Sequence, residues 1–132
     1  MSGLAAVLAG RVEPGVYRWH AAYDVADVRH TVERAGWRFA HLDGWSLATK
    51  AELLDALGAA LNFPDHYGRN LDALADCLTD LEAGTVLLWD GWSPLARDDQ
   101  RTFAVVVELL RAAALAVLLR GDGPEVEIPS LD

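Results

Sequence analysis

The chain has 132 residues, 14.3 kDa and 52% apolar side chains, so it is one domain's worth of polypeptide able to bury its own core rather than stay disordered. Eleven basic against twenty acidic residues give a formal charge of −9. That balance argues against a non-specific nucleic-acid binder and against docking on anionic lipid, both of which need cations. The lone cysteine, Cys77, excludes an intrachain disulfide framework and suits a reducing, cytoplasmic setting.

In chain order, Leu4 to Ala9 is apolar but short, with no basic residue before it and Arg11 after it. A secretory signal has the reverse order and a longer apolar core, so the segment reads as a mature cytoplasmic start. Gly15 to Trp19, after Pro14, alternates as a short strand does. Asp24 to Ala35 places Val25, Val28 and Val32 on one side of a helix that Gly36 stops. Trp37 to Leu42 reads as a strand ended by an Asp43-Gly44 turn. Ser46 is positioned to cap a helix bearing Leu47, Leu54, Leu57 and Leu61, which Pro64 forbids from continuing. Asn70 is positioned to cap a second helix, Leu71 to Glu82, with Leu71, Leu74, Ala75, Leu78 and Leu81 on one stripe and Gly84 as its stop. Thr85 to Trp89 is a buried-strand pattern, Arg97 to Ala114 is predicted helical, and Ala116 to Arg120 is the last predicted strand. Phe103 to Leu119, the longest apolar stretch, is interrupted by Glu108 and Arg111, so no run reaches the roughly 20 residues of a membrane span. Strands alternating with helices predict an α/β layered fold, a small, mostly parallel sheet flanked by helices, with right-handed crossovers.

The most informative feature is on the second central helix. Asp72, Asp76 and Asp80 stand at four-residue intervals, about one turn apart, so all three carboxylates share a face opposite the leucine stripe. From Asp65 to Asp99 there are eight acids and two bases. Like charges four apart repel by roughly 0.2–0.5 kcal/mol per pair, and only Asp72 is near enough to the helix start to recover some of that. On periodicity alone such a stripe is the solvated side of an amphipathic helix. Glu and Lys are the usual residues there, however, and three aspartates without a lysine are poor helix formers. A face built against local stability points to a use outside the fold. Other constellations carry less. Cys77 beside the leucine stripe reads as a structural thiol rather than a nucleophile. His66 with Asp72 and Asp76 matches no named metal-ligand spacing, and neither metal nor cofactor is expected. Trp45, Trp89 and Trp92 flank predicted strand or turn ends and are expected to plug the sheet edges.

The stretch from Phe63 through Pro64-Asp65-His66-Tyr67-Gly68-Arg69-Asn70-Leu71-Asp72 and on to Asp76-Cys77-Leu78-Thr79-Asp80 resembles the barstar family of ribonuclease inhibitors. The ungapped string Tyr-Gly-x-Asn-Leu-Asp-Ala-Leu-x-Asp-Cys-Leu carries the resemblance, which extends over about Trp37 to Arg120. It implies a single barstar-like domain over residues 1–132, with 37–120 as its core and 1–36 as an added strand–helix unit that extends the sheet at one edge. It also implies a non-catalytic inhibitor, monomeric when free, whose loop and helix between His66 and Thr79 plug the active site of a basic microbial ribonuclease. In that reading Asp76 stands in for a substrate phosphate, Asp72 is a second acidic contact, Gly68 and Asn70 are loop contacts, and Thr79 is a contact at the helix end. Tyr67 belongs to the same partner-binding set. Charge complementarity makes such a face favourable against a cationic cleft, and the family's founding inhibitor–enzyme pair is itself the standard example of the steering that results. Several positions depart from the family pattern. His66 replaces a tyrosine, Ala75 and Leu81 replace tryptophans, Asp80 replaces a glycine as a rim charge, and Arg69 replaces an acid. Gln100, with Asp98 and Asp99 nearby, stands where the later helix contributes a glutamate. The anchor is kept and the rim redrawn, which points to a different cognate enzyme. The alternative is an interaction module on the same fold whose partner is no nuclease.

Overall fold

Val86 to Trp89 and Ala116 to Leu119 are unbroken apolar runs, the pattern of strands covered on both faces. In the computed structural model, which describes residues 2–131, they lie in a five-stranded parallel sheet. The strands are β1 (Val16–Trp19), β2 (Arg38–Asp43), β3 (Thr85–Asp90), β4 (Leu115–Arg120) and β5 (Ser130–Leu131), in the order β2-β3-β4-β1-β5. Helices α1 (Ser2–Leu8) and α2 (Val25–Arg34) cover one face. Helices α3 (Lys50–Ala60), α4 (Leu71–Thr79), α5 (Ser93–Asp98) and α6 (Gln100–Ala112) cover the other.

The alternation along each strand sorts the core into two clusters. Leu87, Trp89, Val117 and Leu119 pack with Leu54, Leu57, Leu74, Leu78, Phe103, Val106 and Leu110 from the four-helix side. Val86, Leu88, Ala116 and Leu118 pack with Leu4, Val7, Trp19, Val28 and Val32, all contributed by residues before 37. The N-terminal unit therefore covers a whole sheet face. It also does more than lengthen an edge as the sequence suggested, because β1 is inserted between β4 and β5.

Other boundaries move for physical reasons. Helix α3 begins at Lys50, not after Ser46, because Thr49 and Glu52 form a reciprocal capping box. The Thr49 hydroxyl accepts from Glu52 N–H at 3.2 Å, and Glu52 Oε1 accepts from Thr49 N–H at 3.2 Å. Helix α4 ends at Thr79, where Asp80 is the C-cap. The helix expected from Arg97 to Ala114 is two helices. Asp99 (φ −147°, ψ 75°) breaks the first and caps the second, accepting from Thr102 N–H at 3.1 Å and from its hydroxyl at 2.6 Å. Those bonds hold the Asp99 carboxyl below its ordinary range. Trp89 and Trp92 are buried as expected, but Trp45 is 57% exposed and lies over the strand ends instead of being buried among them.

The connections from β1 and β4 leave in opposite directions, so the gap between these neighbours is the point where open α/β sheets most often bind ligands. Here the chain fills it. Arg120 donates from Nη1 to the carbonyls of Tyr23 (2.6 Å) and Ala21 (3.3 Å), and grips Asp90 through Nε (2.6 Å) and Nη2 (3.1 Å). His41 Nε2 meets the same carboxylate at 2.8 Å. Burial pushes the Asp90 carboxyl up, but the hydrogen bonds and charge of Arg120 and His41 prevail and hold it below its usual range.

Candidate functional site

The loop entering α4 has defined internal support. Pro64 stops α3 from continuing, Asn62 and Arg69 take left-handed φ of 56° and 50°, and Tyr67 N–H donates to the Pro64 carbonyl at 2.9 Å. Tyr67 is the keystone. It is only 8% exposed, its hydroxyl donates to the Leu54 carbonyl at 3.0 Å, and its ring stands edge-on to Phe63 with centroids 5.0 Å apart. Gly58 on α3 makes this contact feasible, since a Cβ there would stand 2.7 Å from the tyrosine ring. Burial raises the Tyr67 pKa, with Cys77 adding to the shift. The side chain offered by the sequence as a partner contact is thus turned inward, and its work is to hold the loop.

Asn70 caps α4 as the sequence indicated, its Oδ1 accepting from Ala73 N–H at 2.7 Å, and its amide donates back to the Gly68 carbonyl at 3.4 Å. Leu74 and Leu78 are buried, while Asp72, Asp76 and Asp80 all face solvent. The Thr79 hydroxyl donates to the Ala75 carbonyl at 2.9 Å; Thr79 is exposed and Ala75 half-buried. Arg69, which stands in place of an acid of the family pattern, is drawn to α3, its Nε 2.9 Å from Asp55 Oδ1.

Between this loop and α4 runs an open cleft of about 490 Å³. His66, Tyr67, Gly68, Asp76 and Asp80 all line it, with Leu61, Phe63, Cys77 and Leu81 forming apolar walls. Asp72, Ala75 and Thr79 lie outside it, on the adjoining helix surface. The 3.6-residue period explains the split, since residues four apart drift about 40° around the axis and, of the three aspartates, Asp72 is turned farthest from the side that carries Ala73, Cys77 and Leu81. Cys77 is part-exposed in the cleft wall, and burial, then Asp80 and Asp76, push its thiol pKa up. A raised pKa withholds the thiolate that a nucleophile requires. Among the described residues no group of three His, Cys, Asp or Glu side chains could hold a metal ion. The cleft walls Leu61, Phe63 and Leu81 enter the sequence reading only as stripe and motif positions, not as members of the partner-binding set.

Comparison with known proteins gives the chain's family. The family model described as Barstar (barnase inhibitor) matches residues 37–128. A Bacillus subtilis (strain 168) protein named "Putative ribonuclease inhibitor YrdF" is 55% identical over 38 residues, 29% of this chain and 42% of that one. Among solved structures, the Drosophila ORC bound to DNA superposes with a TM-score of 0.64 at 20% identity, over 89% of this chain and 37% of that chain. The Aeropyrum pernix ORC2 protein in ADPNP–ADP complexes superposes with a TM-score of 0.55 at 16% identity, over 92% and 39%. The chain thus spans less than half the length of each of these relatives, and the two structures share its fold alone.

Proposed function

The chain belongs to the barstar family, and from that premise we propose that it inhibits a basic microbial ribonuclease by seating the exposed acidic face of α4 and the adjoining loop in the enzyme's active site. One observation carries the reading. Asp72, Asp76 and Asp80 are exposed along one flank of α4, while the neighbouring cation Arg69 is paired with Asp55 on α3. Three like charges in a row weaken the helix that holds them and gain their compensation only from a cationic partner. Asp76 occupies the cleft rim in mid-helix and is the anchor. Asn70 and Tyr67 hold the loop at a fixed angle to it, so little ordering entropy is lost on binding. His66 lines the same cleft as Asp76 and adds a polar ring to the contact surface. The raised thiol of Cys77 and the solvated carboxylates favour an inhibitor over an enzyme, since acid–base catalysis needs a carboxyl held in an apolar pocket.

The test is capture from a lysate of the source organism on immobilised protein, with an Asp76→Ala column in parallel. The expected result is a basic protein with ribonuclease activity, retained by the first column and lost from the second. Retention of a partner without nuclease activity would favour an interaction module instead.

A further inference from the structure

Strands β2, β3 and β4 end in register at Asp43, Asp90 and Arg120, and glycine follows each at once, at 44, 91 and 121. The ladder continues through these glycines. Gly44 N–H donates to the Asp90 carbonyl at 2.7 Å, and Gly91 N–H to the Arg120 carbonyl at 2.9 Å. The indole of Trp45 lies lengthwise along the row. A Cβ on Gly91 would stand 2.6 Å from Trp45 Cγ and Cδ2, and one on Gly121 would stand 2.9 Å from Cη2. One ring face therefore rests on bare backbone at two left-handed glycines, with φ of +69° and +116°. Trp45 is otherwise open to solvent, in contrast to the buried Trp19, Trp89 and Trp92.

The exposed charged residues that adjoin this glycine row in the chain, Asp43 and Asp122, are both acidic. Asp43, whose Oδ1 accepts from Trp45 N–H at 3.3 Å, is exposed, and so is Asp122, the residue after Gly121. Arg120 is turned away into its bonds with Asp90, Ala21 and Tyr23. The electron-rich face of an indole attracts a cation, and two carboxylates beside it strengthen that attraction. An uncharged occupant would instead strip water from both carboxylates without pairing them.

We infer that Trp45, Asp43 and Asp122 form a second docking site, which seats a lysine or arginine side chain of a basic protein partner on the indole. The site is separate from the α4 cleft. It lies beyond the C-terminal ends of the strands, and α3 leads away from it for 11 residues, about 16 Å of helix, to the cleft wall at Leu61. It therefore stands or falls independently of the ribonuclease reading.

The test is an NMR titration of the full ¹⁵N-labelled chain carrying Asp76→Ala, which weakens the competing acidic face. The probe is a capped tetra-arginine peptide, with a tetra-asparagine peptide as control. The Trp45 indole N–H, identified by its absence in Trp45→Phe, and the Gly91 and Gly121 amides should shift saturably with the cationic peptide only. Trp45→Ala, followed at the two glycines, should weaken binding about threefold, the size of an exposed cation–π contact. Asp43→Asn with Asp122→Asn keeps the ring on its seat, removes only the charge, and should weaken binding by at least as much. No saturable shift at Trp45 or the glycines, equal shifts with the neutral peptide, or an affinity unchanged by the Asn pair would each overturn the proposal.

Discussion

Asp76 and Asp80 are both exposed and both line the cleft, one turn apart, yet they should contribute differently to binding. Asp76 lies within α4, where an enzyme cleft would desolvate it, whereas Asp80 is the C-cap at the helix end. Truncating one partner of a buried, hydrogen-bonded charge pair costs about 2–5 kcal/mol of affinity, a range to which the family's founding complex itself contributes. Asp76→Ala should fall in that range and Asp80→Ala below about 1 kcal/mol, as rim charges do. The free Asp76→Ala protein should melt at the same temperature or slightly higher, because repulsion with Asp72 and Asp80 is relieved. Calorimetric affinity and melting temperature, measured side by side, check this. Equal small affinity losses would mean a merely solvated face, and a large drop in melting temperature would make Asp76 structural. Asn70→Ala should cost about 1 kcal/mol of stability by freeing the Ala73 N–H, seen as a lower urea midpoint, and should also weaken binding through the loop.

At the scale of elements, the sequence was most legible where one local rule decided the outcome. The cap at Asn70, the left-handed stop at Gly36, and the apolar runs of β3 and β4 all appear where local chemistry places them, whereas α4 ends at Thr79, well short of Gly84. Ser46 misled because any hydroxyl before an apolar stripe looks like a cap, while Thr49-Lys-Ala-Glu52, a complete capping box, stood three residues on. Helix α1 and strand β5 are too short for periodicity to reveal and exist through tertiary contacts, with Leu4, Val7 and Leu131 buried in the second core cluster. The cleft behaves likewise. Its acidic rim was legible in the four-residue spacing, but the inward turn of Tyr67 depends on Gly58, nine residues away on another helix. No spacing rule reaches across that gap. The network at the strand ends was equally hidden, because His41, Asp90 and Arg120 meet only when three strands align. It predicts a pH dependence with a definite sign. The Asp90 carboxyl is lower in the folded chain than in the unfolded one, near 3.9, so its contribution is present above about pH 4 and is lost as pH falls through the folded value. Unfolding free energy from urea titrations between pH 5 and 2 should fall more steeply for the natural chain than for Asp90→Asn.

For the whole molecule, two sheet faces imply one cooperative unit. The family match begins at residue 37, yet Val86, Leu88, Ala116 and Leu118 are covered by side chains that precede it. A chain lacking residues 1–36 should therefore expose that face and collect in the insoluble fraction, or unfold without a cooperative transition. A soluble fragment with a sharp melt would show that the N-terminal unit is an appendage. The net charge of −9 acts at this scale too. Exposed charges are screened beyond about 8 Å at physiological ionic strength, so association with the proposed ribonuclease partner should slow by an order of magnitude or more from low to high salt in stopped-flow measurements. The central claim is tested most directly by RNA cleavage. Purified basic microbial ribonucleases, including any captured from the source organism, are titrated with this protein and with Asp76→Ala. At least one enzyme should be silenced near a one-to-one ratio by the natural protein, and Asp76→Ala should require at least tenfold more. Undiminished cleavage by every enzyme, or equal inhibition by both proteins, would contradict the claim.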